Sequence, residues 1–192
     1  MNYTRVRALL LLAFAVPLCA AAARAQSAPA AEARAPKFSS VITNLSTQCR
    51  PSEDDGTAQG EDRPLRCEGY GDYVIHIDFS AATSHLRVQL KGGSSEEAVY
   101  LADQPLDYDS KRKVEWRLAD GVPFAIIFRV EKPKPGLDPA EMWLPENKAG
   151  ESLRVKGLGA YAGIDFEVDA KTPNANARAR EMADAAYAKP RR

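Results

Sequence analysis

Histidine and cysteine are both scarce in this chain, with two of the first and three of the second among 192 residues. So few histidines leave little material for a His-rich metal centre. No Cys-x-x-Cys spacing occurs, which argues against a redox-active dithiol. No Gly-x-Ser-x-Gly elbow marks a hydrolase nucleophile. No glycine-rich loop opens a helix, so phosphate and dinucleotide sites have no support; Gly92-Gly93 and Gly157-Leu158-Gly159 read as turns. An excess of one charge is missing too, with 26 basic and 26 acidic side chains. A nucleic-acid partner therefore has no electrostatic basis.

What is present begins with an export signal. Arg5 and Arg7 form a positive start, Ala8–Leu18 is apolar, and Ala23-Arg24-Ala25 fits the small-x-small cleavage rule. The apolar run falls short of the roughly 20 residues that a membrane span requires. Residues 1–25 are thus expected to be a signal peptide, with no membrane span after cleavage. Cys19 follows Leu18, where a lipoprotein signal would carry a small residue. Cleavage removes Arg5, Arg7 and Arg24 and no acids, which leaves a net charge of −3. The protein is expected in the periplasm or secreted.

Two cysteines, Cys49 and Cys67, remain after that cut. An even pair in an oxidising compartment predicts one structural disulfide, worth about 3 kcal/mol for a loop of this length. The loop it closes, PSEDDGTAQGEDRP, is acidic. Its spacing lacks the alternating Asp pattern and the distal Glu of a calcium site, so it reads as a solvated connection.

Residues 26–37 are rich in Ala and Pro without period, and they read as a flexible linker to a single domain over 38–188. Phe38–Ser46 reads as a first strand. From Tyr73 to Phe79 and again from Leu86 to Leu90, apolar residues alternate with polar ones, which predicts a hairpin with one wet face. Lys113–Val130 gives a second hairpin with its turn at Asp120-Gly121. Ile127 is apolar on the opposite face of the return strand, so that strand is expected to be central. Glu131–Pro139 holds three prolines and is excluded from any central strand. Later strands are expected around Leu153/Val155 and Ile164–Val168. Thr172 as N-cap and Pro173 at the first position predict a C-terminal helix, with Ala175, Ala179, Met182 and Ala186 on its packing stripe. The fold class is therefore mainly β: an antiparallel sandwich or open barrel of seven or eight strands with one C-terminal helix across it.

Candidate chemistry is thin. His76, Asp78 and His85 are expected on the wet face of the first hairpin, with Asp78 opposite His85 or Arg87 and His76 near Arg87 or Gln89. Two imidazoles and a carboxylate could hold zinc or serve a hydrolase. Arg87 in the same patch opposes a cation, and cross-strand charge pairing explains the residues equally. Trp116 is in phase with core residues and is expected buried. Trp143, in a proline-bounded segment, is the better candidate for surface contact, together with His76, Asp78 and His85.

Three stretches, CEGYGDYVIHI, VEWRLADGVPFAIIFRV and VDAKTPNANARAREMAD, resemble a family of small secreted proteobacterial proteins of uncharacterised function. Members of that family often carry two further cysteines near the end, which are absent here. The resemblance implies a secreted β-rich domain and no activity. Together these readings lead to a non-enzymatic binding module without cofactor, engaging an envelope protein or ligand. The rival is a metal-dependent or other hydrolase built on His76, Asp78 and His85.

Overall fold

Alternating apolar residues turn most of this chain into antiparallel strands. The computed structural model describes residues 34–52, 63–80, 83–105, 112–138, 141–142 and 144–189. The predicted signal segment, the acidic stretch 53–62 and Trp143 lie outside the described residues. In chain order the elements are β1 (Phe38–Asn44), α1 (Leu45–Gln48), β2 (Cys49–Pro51), β3 (Leu65–Glu68), β4 (Tyr73–Ser80) and β5 (Thr83–Leu90). They continue with β6 (Val99–Pro105), β7 (Lys113–Ala119), β8 (Val122–Pro133), β9 (Lys148–Gly157), β10 (Asp165–Asp169) and α2 (Ala175–Tyr187). The strands form two five-stranded sheets, β1-β7-β8-β9-β10 and β2-β3-β4-β5-β6. Neither closes into a barrel, so the sandwich alternative is the one adopted.

The core between the sheets is what the alternation demands. Ile75, Ile77, Leu86 and Val88 from the second sheet meet Val114, Trp116, Ile126 and Phe128 from the first. Each such side chain, fully buried, contributes about 1.5–3 kcal/mol. Trp116 is sealed in this layer, where its Nε1–H donates to Thr43 Oγ1 at 2.9 Å. An indole buried without that acceptor would leave an unsatisfied donor.

The outer face of the first sheet carries a second core. Ala125, Ile127, Leu153, Val155 and Val168 pack under Ala175, Ala179 and Ala183 of α2. Small residues let the helix lie close to the strands. Ile127 is covered by this layer and β8 is the middle strand of its sheet, as its two-sided apolar pattern predicts. A ring cluster closes the far end of the helix: Tyr187 stacks on Tyr161 at 4.7 Å and meets Phe124 and Phe38 edge-on.

Four expectations need correction. Among the described residues ten strands form rather than seven or eight, partly because Phe38–Ser46 is not one strand: Asn44 caps the short helix α1, and β2 follows it. The helix begins at Ala175 behind Asn174 (φ 56°), not at Pro173. Thr172 N–H bonds to Asp169 O and Ala175 N–H to Thr172 O, so Thr172 and Pro173 belong to turns leaving β10. The helix stripe centres on Ala175, Ala179 and Ala183, with Met182 and Ala186 at its margins. Finally, β8 runs on into the proline segment as far as Pro133, but beyond Phe128 it pairs with β9 alone, so the proline lies on a one-sided stretch beside a register shift at Lys132/Pro133.

Candidate functional site

Cys49 and Cys67 sit directly opposite each other on β2 and β3 and are joined as a disulfide. Because side chains alternate, the neighbours Arg50 and Arg66 are also opposite each other and point to the outer face. The register carries this row onward: Arg66 opposes His76 on β4, His76 opposes Arg87 on β5, and Arg87 opposes Tyr100 on β6. One rung of basic side chains thus crosses the outer face of the second sheet.

The next rung holds Asp78, His85 and Asp103. Of the cross-strand alternatives the alternation left open, Asp78 opposes His85 and His76 opposes Arg87. The side-chain bonds run differently. Arg87 turns diagonally to Asp78, with Nε–Oδ2 at 2.6 Å and Nη2–Oδ1 at 3.3 Å, and its Nη1 donates to Gln89 at 3.1 Å. His85 Nδ1 bonds instead to Asp103, and its Nε2 lies 3.3 Å from Thr83 Oγ1. Tyr100, 48% exposed, donates its phenol proton to the same Asp103. Burial of that phenol, the hydrogen bond and the Asp103 charge raise its pKa well above the ordinary value, against the opposing charge of Arg154.

Asp103, His85 and Thr83 have the connectivity of an orienting carboxylate, a base and a hydroxyl nucleophile. The donor count speaks against that role. Thr83 already gives its one hydroxyl proton to Ser80 O at 3.1 Å, so toward His85 it can only accept. Among the described residues no three His, Cys, Asp or Glu side chains converge on a cation position.

Where the basic rung meets the disulfide, the surface dips into a hollow of about 650 Å³. Arg50, Arg66 and Lys91 line it with Glu68, Gln48 and Val74. Lys91 Nζ reaches Gly71 O at 2.7 Å, and neither Arg50 nor Lys91 forms an ion pair among the described residues. A second hollow, about 530 Å³, lies beside α2 on the first sheet. Its rim charges are matched: Arg180 with Glu115, Arg129 with Glu151, and Arg112 with Glu131.

Sequence reading located His76, Asp78 and His85 and missed Asp103, Thr83, Arg50 and Arg66. Asp103 follows the apolar start of β6, where no alternation in the sequence marks it. The two arginines did leave a trace: each adjoins a cysteine, so a cross-strand disulfide forces them together. Compared with protein families, curated proteins and solved structures, the chain matches none. Among the described residues no helix is long and apolar enough to cross a membrane.

Proposed function

We propose that this protein is an exported, non-enzymatic β-sandwich that acts as a binding module in the periplasm or outside the cell. The observation that carries the reading is the basic rung Arg50–Arg66–His76–Arg87, displayed across four strands of one sheet face and fixed by the disulfide at its end. A sheet stapled in this way presents its charges without a large ordering cost on association. Export is supported by the disulfide, by the signal-like start of the chain and by the resemblance to secreted proteobacterial proteins. The test is affinity capture of the tagged exported protein from envelope extract, followed by mass spectrometry. A partner enriched over a tagged control is expected; recovery of the bait alone from every extract would sink the reading.

A second reading, a hydrolase on the same face, is favoured by the Asp103–His85–Thr83 connectivity alone. It requires ester or amide hydrolysis abolished by His85→Ala, or stoichiometric zinc lost in His76→Ala from protein purified without chelator.

A further inference from the structure

We propose that the free edge of β1 is a self-association surface, on which a second copy of this chain adds its own β1 antiparallel about Ser40. The inference goes beyond the binding-module reading, which needs no dimer. Two bonds flanking the β1–β7 ladder fix its phase: Asp120 N–H donates to Lys37 O and Leu45 N–H to Arg112 O. Because facing pairs alternate, the odd-numbered residues from Lys37 to Leu45 bond to β7. Phe38, Ser40 and Ile42 then turn N–H and C=O to the open edge. Those main-chain groups bond to nothing among the described residues. The helix α2 packs mainly over β8, β9 and β10, away from this edge.

The other three sheet edges carry devices against such pairing. β10 holds Asp165, Glu167 and Asp169, β2 is three residues long and ends in Pro51, and β6 holds Asp103 and ends in Pro105. β1 reads FSSVITN, seven residues without a charge or a proline, so it meets its own copy without repulsion. The register is self-complementary as well. Centring the pair on Ser40 sets Phe38 against Ile42 of the second copy and Ile42 against its Phe38. Three facing pairs then exchange about six main-chain bonds. The ladder also has natural limits: Asn44 N–H is already taken by Gln48 Oε1 at 2.6 Å, and Pro36, which would oppose it, has no N–H. Ile42 is 46% exposed, and Phe38 lies in the ring cluster, 5.8 Å from Phe124 and 5.6 Å from Tyr187. An aromatic facing a β-branched side chain is a favourable cross-strand pair, and two-fold symmetry makes it twice. A foreign strand could use the bonds, but the reciprocal Phe38–Ile42 match belongs to this chain paired with itself. So short an interface lies at the low end of sizes, with a dissociation constant between about 1 μM and 1 mM.

The test is sedimentation equilibrium of the full-length exported protein over a concentration series reaching about 1 mM. A monomer–dimer equilibrium is expected. Ile42→Lys should weaken it about tenfold, because both Phe38–Ile42 contacts are lost. Ile42→Val should retain it, and Leu90→Lys, at an exposed leucine of the second sheet, should change nothing. Melting at dilution, unchanged from the parent, certifies the fold of each variant. Cysteine linking reads the register. Ser40→Cys should join to itself on mild oxidation, since facing α-carbons about 5.5 Å apart lie within the span of a disulfide. Ile42→Cys should not, because its counterpart in the second copy lies about 13 Å along the strand. The proposal is overturned by a monomer at every concentration, by a dimer that Ile42→Lys leaves intact, or by self-linking of Ile42→Cys in place of Ser40→Cys. Slow amide exchange at Phe38, Ser40 and Ile42 in a monomer would show another segment of this chain on the edge. A partner protein held through Ile42 by the monomeric chain would show a foreign strand there. Either result also overturns it.

Discussion

Arg117 on β7 and Asp184 on α2 meet fork to fork, with Nε–Oδ1 at 2.7 Å and Nη2–Oδ2 at 2.5 Å. One turn back along the helix, Arg180 grips Glu115 on the same strand at 2.6 and 3.0 Å, and Ser40 of β1 donates to Glu115 at 2.5 Å. Two bidentate pairs of alternating sense therefore fix α2 in position over its small-residue stripe. Alanines alone would permit sliding; the charges specify one position along the sheet.

Removing one member of the inner pair strands the other. The side chains of Arg117 and Asp184 are only 11% and 22% exposed. Asp184→Ala is expected to cost about 1–3 kcal/mol, because the guanidinium keeps its desolvation without its partner. Urea denaturation followed by circular dichroism measures this, and amide exchange in α2 should quicken while β4 and β5 stay protected. Equal acceleration in all three elements would show that the pair does not act on the helix in particular.

The disulfide predicts a larger effect. Cys67 is buried in the sandwich core and the bond closes a separation of 18 residues. Replacing both cysteines by serine is expected to destabilise by about 3 kcal/mol. Part of that loss should return at high salt, because the opposed Arg50 and Arg66 then repel less. Denaturation of parent and variant at two salt concentrations decides the point. A penalty independent of salt would mean that the arginine opposition carries no energy.

Strand periodicity was legible wherever one face of a sheet is wet, as in Tyr73–Leu90 and Lys113–Val130. Trp116 and Ile127 could be assigned to opposite cores from phase alone. Legibility failed where local chemistry competes with period. Asn44 diverts β1 into a short helix by taking the Ser46 N–H at 3.2 Å, a choice invisible to an apolar count. The start of α2 was misplaced because Thr172-Pro173 makes a good helix start and an equally good turn. At the candidate site, the identity of the residues was readable but their bonds were not. Asp78 lies straight across from His85 yet binds Arg87 on the diagonal, since the longer guanidinium reaches both carboxylate oxygens.

Acid should loosen the β8–β10 side of the first sheet. Burial raises the Glu167 pKa, but the hydrogen bonds from Lys132 and Ser152 and the charges of Lys132 and Arg154 outweigh it, and the net shift is downward from 4.5. Glu151 is also lowered: the Lys148 hydrogen bond leads, burial opposes it, and Arg129 adds to the lowering. A folded-state pKa below the unfolded one gives stability that is full above the unfolded value and is lost as pH falls through the folded one. The expected outcome is a decline in melting temperature below about pH 4.5, shallower in Glu167→Gln. An identical acid limb in that variant would exclude Glu167 as a contributor.

Trp116 and Thr43 offer the cleanest separation of hydrogen bonding from packing. Thr43→Val keeps the volume and removes the acceptor, so the buried Nε1–H loses its partner at 2.9 Å. The cost should be about 1–3 kcal/mol, the penalty for an unsatisfied buried donor. Trp116→Phe also removes that donor but opens a gap in the core, so it should cost more. Combining the two leaves neither a stranded donor nor a stranded hydroxyl, and the double variant should be more stable than the sum of the single losses predicts. A double-mutant cycle by urea denaturation measures the difference; strict additivity would mean that the bond adds nothing beyond shape, and that the sandwich core is held by burial alone.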